Sequence, residues 1–177
     1  MHDVRKLVSA SLFASLTVVG ALTSLQLPFL TRVPFTLQIF FVLLAGVLLG
    51  PGWGAASQMV YLALGAVGLP VFAGAHGGVG VLLGPDGGYL WAFPLAASLS
   101  GFLGSRSRGF WPLLGSMLAG LLLIYAGGVL WLAWLLRLSL LQALAVGMFP
   151  FAFFDLVKIC LAAALAVRVR RALPQLR

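Results

Sequence analysis

The stretch Phe149-Pro150-Phe151-Ala152-Phe153-Phe154-Asp155-Leu156-Val157-Lys158-Ile159-Cys160-Leu161-Ala162-Ala163-Ala164-Leu165-Ala166-Val167 is apolar apart from two charges, and Arg168, Arg170 and Arg171 close it. Its length suits a helix that crosses a bilayer, which needs roughly 20 mainly apolar residues, and the basic residues at its end suit the headgroup boundary. Measured back from Arg168 at about 1.5 Å per residue, Lys158 lies about 15 Å and Asp155 about 20 Å from that boundary. Both fall inside a hydrocarbon layer about 30 Å thick. An ionised group there costs at least about 2.5–3.5 kcal/mol unless it faces the bundle interior or a wet cavity. Asp155 and Lys158 are spaced to share one helix face. They can therefore neutralise each other as a structural pair, or mark the path of a substrate.

The rest of the chain has the same character. Of 177 residues, 62% are hydrophobic and 8% charged, with a mean hydropathy of +1.13, whereas soluble domains are roughly a quarter charged. A soluble core of this size could not hide so much apolar surface, which excludes a cytosolic enzyme. Apolar runs near 7–25, 35–50, 53–72, 88–104, 110–135 and 139–167, separated by Gly, Pro or Arg, predict an all-α integral membrane protein. The expected architecture is a compact bundle of six transmembrane helices. The few charges leave no room for a soluble domain, so residues 1–177 read as one membrane domain. The first run follows Arg5 and Lys6 as a signal peptide would, but it is too long and no small-residue cleavage site follows.

Lys and Arg number 11 against 3 Asp and Glu, a formal net charge of +8. Because the basic residues cluster beside apolar runs, they point to membrane orientation and anionic headgroups rather than to nucleic acid. Arg5, Lys6, Arg106, Arg108, Arg168, Arg170, Arg171 and Arg177 fall on one side of the predicted bundle, and Arg32 and Arg137 on the other. The positive-inside rule makes the first side cytoplasmic. Both termini and the Gly50-Pro51-Gly52 turn are then inside, and the loops at 26–34, 73–87 and around Arg137 outside. Val47-Leu48-Leu49-Gly50-Pro51 recurs as Val81-Leu82-Leu83-Gly84-Pro85, and both read as helix-ending Gly-Pro turns.

Few residues offer catalytic chemistry. No phosphate-binding loop precedes either lysine, so the chain cannot use ATP by that machinery. His2 and His76 are the only histidines and Cys160 the only cysteine. A His-rich or multi-Cys metal site is thereby excluded, and Cys160 reads as a small hydrophobe. The segment from Gly68 to Tyr89 is apolar and rich in glycine, which lets backbone approach a ligand closely. It reads as a flexible turn or as a cap folded into the mouth of the bundle. Phe149, Phe151, Phe153, Phe154, Trp131, Trp134, Tyr89 and Trp91 are candidates for the wall of an apolar pocket around Asp155 and Lys158, or for packing and interface belts.

The order and spacing of four stretches resemble the BioY family, the biotin-binding membrane subunits (S components) of energy-coupling factor (ECF) transporters. These are Ala10 to Ala14 with Val19-Gly20-Ala21, Val33-Pro34-Phe35-Thr36-Leu37-Gln38, the Gly68–Tyr89 loop, and Asp155-Leu156-Val157-Lys158. The resemblance implies a multi-pass protein of a prokaryotic cytoplasmic membrane whose outer loops cover one biotin. It implies a substrate site of Asp155, Lys158, Tyr89, Gly74, His76, Gly77, Gly78, Phe35 and Gln38, with no cofactor and no enzymatic activity. Active uptake then needs a transmembrane coupling subunit (T component) and ATP-binding-cassette ATPases, which alone use ATP. The resemblance also implies that Ala10 and Ala14 face the coupling subunit, whereas spacing alone equally allows packing inside the bundle. The sequence departs from the family at Asp86, where a neutral residue is usual, and around His76. Biotin's ureido N–H groups suit Asp155 as acceptor and its ureido carbonyl suits Lys158 as donor, while its carboxylate leaves the opposite orientation open. A self-sufficient facilitator or channel, oligomeric or not, and an intramembrane hydrolase using His76 and a serine are the competing classes.

Overall fold

Small and apolar residues recur at helical spacing along α1 (His2–Leu22), and they decide which way it faces. Ala10, Phe13, Ala14, Thr17, Gly20 and Ala21 are buried, whereas Leu7, Val8, Leu12, Val19 and Leu22 are exposed, as on a helix with one side in lipid. Ala10 and Ala14 are only 3% and 1% exposed. That burial favours packing inside the bundle over the expected contact with a partner helix. Their lack of bulk is used within the protein, where it lets α1 lie close against its neighbours. Thr17, buried beside them, pairs with Gln58, whose amide Nε2 also donates to Ser57 Oγ. Buried polar groups are thus satisfied where no water can reach them.

The computed structural model describes residues 2–24, 33–107 and 109–172. The expectations for Arg32, Arg108 and Arg177, and for most of the 26–34 loop, lie outside these residues.

Next comes α2 (Gln38–Ala66), which is helical throughout except at Gly50, where φ is 82° and ψ 176°. Only glycine adopts that conformation readily, and Pro51 follows, starting a new helix without needing an N–H partner. The chain doubles back here. A Cβ built on Gly54 would stand 2.7 Å from Gly46 Cα, although a straight helix would separate these positions by about 12 Å. The helices expected over 35–50 and 53–72 are therefore the two arms of a hairpin, the second ending at Ala66. Against this hairpin runs α4 (Gly87–Gly104). A Cβ on Gly46 would meet Ala97 O at 2.2 Å, and one on Gly101 would meet Gly46 O at 2.6 Å. In lipid, where burial against Leu-like tails gains little, such close backbone approach is a main source of helix association.

Between them, residues 67–86 fold onto the end of α2. Phe72 packs edge-on to Tyr61 with ring centroids 5.5 Å apart, and its N–H donates to His76 O at 2.9 Å. A short 3-10 turn at Ala73–Ala75 and α3 (Val79–Leu83) complete the segment. Then α5 (Phe110–Leu136) ends at Arg137 in the left-handed conformation. The single helix expected over 139–167 is in fact two. The first is α6 (Leu140–Gly147), opened by a reciprocal Ser139/Gln142 capping box. It stops at Met148, and α7 (Phe149–Ala172) follows.

Among the described residues, α1, α2, α5 and α7 are long and apolar enough to cross a membrane. No strand occurs among the described residues. The Leu37 N–H donates to Gly20 O, so the end of α1 meets the start of α2, and Arg5 and Lys6 lie at the far end of the bundle. At that far end the Arg170 guanidinium donates to Gly104 O, Ser107 O and Val47 O. This clamps α7 to the ends of α4 and of the first α2 arm.

Candidate functional site

At the end opposite Arg170 lies a cavity open at its mouth. Its walls come from the segment before α2, the starts of α2 and α4, the middle of α5, and α7. Ile39, Phe72, Leu90, Phe93, Ile124 and Phe151 supply the apolar surface.

A chain of hydrogen bonds crosses this apolar lining. Asp155 is 1% exposed and uses both carboxylate oxygens: Oδ2 accepts from Tyr125 Oη at 2.6 Å and Oδ1 from Lys158 Nζ at 2.7 Å. Lys158 Nζ also donates to Thr36 O at 2.6 Å. Thr36 Oγ1 then donates to Gln38 Oε1 at 2.9 Å, and Gln38 Nε2 donates to Tyr61 Oη at 2.6 Å. The ammonium has three N–H donors, and the protein occupies two of them. One helical face thus carries a neutralised ion pair in low dielectric, where charge-assisted bonds are short and strong. It also carries a donor free to meet an incoming oxygen.

Tyr89 stands beside them and donates from Oη to Gly147 O at 2.7 Å. A Cβ on Gly128 would fall 2.1 Å from the Tyr89 ring, so Gly128 of α5 makes room for it. Asp86 precedes α4 and also lines the cavity. Its Oδ1 is buried and has no hydrogen-bond partner among the described residues. Burial pushes its carboxyl up to about 6, against the opposing pull of His76.

Of the expected substrate-binding residues, Asp155, Lys158, Tyr89 and Gln38 come together in the lining. Phe35 stands behind it, its ring 4.4 Å from that of Phe151. Gly74, His76, Gly77 and Gly78 are not in the lining. The glycines let this segment fold tightly on itself, a Cβ on Gly77 meeting Leu69 O at 2.3 Å, and His76 is exposed, with Nδ1 2.9 Å from Ala73 O. The cap reaches the cavity through Phe72, Ala73, Val81 and Asp86 instead. The aromatic wall is also smaller than expected. Phe151 and Tyr89 line the cavity, whereas Phe149, Phe153, Phe154, Trp91 and Trp134 are exposed on the outer surface. Trp131 holds the cap, its Nε1 donating to Gly84 O at 2.8 Å. Tyr125 and Asp86 were missed. Tyr125 interrupts the run Leu121-Leu122-Leu123-Ile124, and that isolated hydroxyl in a long apolar helix was the available signal.

A bundle of lipid-suited helices enclosing a polar-studded apolar cavity defines a membrane protein that takes hold of a small molecule. The chain belongs to the BioY family, whose description it matches over residues 1–175. It is 44% identical to the biotin transporter BioY of Thermotoga maritima over 168 residues, 95% of this chain and 97% of that one. It is likewise 44% identical over 160 residues to the probable biotin transporter BioY of Pyrococcus horikoshii, covering 90% of this chain and 93% of that one. Its fold superposes with a TM-score of 0.88 on the crystal structure of the S component for biotin from an ECF-type ABC transporter. The two are 30% identical, over 96% of this chain and 92% of the other.

Proposed function

We propose that this chain binds biotin from the outer side of a prokaryotic cytoplasmic membrane and serves as the substrate-specificity subunit of an ECF-type vitamin transporter. The observation that carries this reading is the Asp155–Lys158 pair, held by Tyr125 and Thr36 inside a largely apolar cavity. Biotin offers an apolar bicycle, ureido N–H donors, a ureido carbonyl and a carboxylate, and the cavity has complementary groups for each. Asp155, Lys158, Gln38, Tyr89, Tyr125 and Thr36 form the polar part of the proposed site. The chain binds and does not catalyse. Energy comes from a transmembrane coupling subunit and its ATPases.

The proposed topology has six crossings in one domain: α1, the two arms of α2, α4, α5 and α7. Both termini are cytoplasmic. The support is charge: Arg5, Lys6, Arg106, Arg168, Arg170 and Arg171 gather at the end away from the cavity, and Arg137 lies at the cavity end. Basic residues retained on the inner side put the cavity on the outer side.

Mass spectrometry of the small molecule that co-purifies with the protein, together with a biotin titration, tests the reading. Biotin bound one to one and retained through purification is expected. A chain that passes biotin without retaining it would instead be a facilitator, because a pore must release what it binds.

A further inference from the structure

Asp86 is half-buried, and its Oδ1 is the one buried side-chain oxygen or nitrogen among the described residues without a hydrogen-bond partner. Its position is fixed from several sides. Trp131 Nε1 donates to Gly84 O and Trp91 Nε1 to Leu82 O. A Cβ on Gly87 would meet Leu82 O at 2.1 Å, and one on Gly88 would meet Trp131 Cβ at 2.2 Å. The carboxylate is therefore set in the cavity wall by a rigid turn. Nor does it cap α4, since it makes no side-chain bond to that helix. Leaving such a group unpaired costs the free protein stability, a cost that a ligand with a donor removes. Asp155, by contrast, already has a donor on each oxygen, and among the described residues Lys158 is the only cation in the cavity lining.

We propose that Asp86 is a specificity-determining residue of the site, its carboxylate accepting a ureido N–H of biotin while Lys158 takes the ligand's carboxylate. This rests on the biotin reading above and adds the ligand's orientation to it. The ureido N–H groups are the only donors on ionised biotin, and a carboxylate placed against Asp86 would meet a like charge. His76 from the cap, Tyr61 from α2 and Tyr89 from α4 are the titratable groups that act on Asp86.

The test titrates wild type, Asp86→Asn and Asp86→Ala with biotin and with iminobiotin, in which a protonated imino group replaces the ureido oxygen. A positive ureido-like head strengthens a bond to an ionised carboxylate, so removing Asp86 should weaken iminobiotin relative to biotin by roughly tenfold or more. Asp86 also accepts more strongly once it has shed its proton. Wild-type biotin affinity therefore rises as pH is raised through about 6 and levels off above it. This rise persists in His76→Gln and vanishes in both Asp86 variants. An unchanged iminobiotin-to-biotin ratio in the variants, or a flat or falling wild-type profile, overturns the inference while leaving biotin binding intact. If the variants bind neither ligand, the wild-type and His76→Gln profiles decide alone. A wild type that binds no biotin overturns the proposed function as well.

Discussion

Tyr125 shows how the site depends on single side chains. Its hydroxyl donates to Asp155 Oδ2 at 2.6 Å, so Tyr125→Phe leaves a buried carboxylate one donor short without changing the volume of the wall. We predict a loss of biotin affinity of about 1–3 kcal/mol, the cost of leaving a buried charged group underpaired, read by calorimetry with a folded protein confirmed by its thermal melt. Unchanged affinity would mean that Lys158 alone sets the Asp155 carboxylate. At this scale the sequence was readable where a residue type is costly in its surroundings. Asp155 and Lys158 stand out because few arrangements tolerate a charge in hydrocarbon. The aromatics did not sort themselves, because lipid and protein interior are alike apolar, and a Phe such as Phe153 gains little by facing either. Asp86 went unassigned because a carboxylate in a Gly-Pro turn looks like solvated loop until the fold buries it.

At the scale of elements, small residues do most of the positioning. Ala10 and Ala14 on α1 are buried with Phe13 and Thr17, so Ala10→Trp or Ala14→Trp overpacks the bundle. Overpacking typically costs about 1–3 kcal/mol. Each variant should show a lowered thermal midpoint and lose biotin binding even as an isolated protein. If the isolated variants bind biotin normally and fail only to assemble with a coupling subunit, α1 turns that face outward and its described packing is wrong. The spacing of alanines alone could not separate these outcomes, since close helix contact within and between chains uses the same residues. The Gly50-Pro51 turn was readable because each residue has a specific backbone consequence. The break between α6 and α7 also had its signs, Gly147 and Pro150 on either side of it and Ser139-x-x-Gln142 before it. The mainly apolar character of 139–167 outweighed them.

For the whole molecule, a cavity lies at one end and a basic rim at the other. Arg106 lies beyond the end of α4, beside the carbonyls clamped by Arg170. An engineered Arg106→Cys should therefore be shielded from a membrane-impermeant thiol reagent in intact cells and should react once the membrane is opened. Rapid labelling from outside would put the cavity on the cytoplasmic face. The number and direction of apolar runs made this arrangement readable from the chain, while the cavity depended on which faces the hairpin and α4 turn toward α5 and α7. The central claim is that the Asp155–Lys158 pair binds biotin, and it is tested most directly by calorimetry on purified wild type, Asp155→Asn and Lys158→Ala. The account predicts tight one-to-one binding by wild type and losses of about 1–3 kcal/mol or more in each folded variant, because either change strands a buried partner. Wild-type affinity in both variants would contradict it and make the pair part of the scaffold.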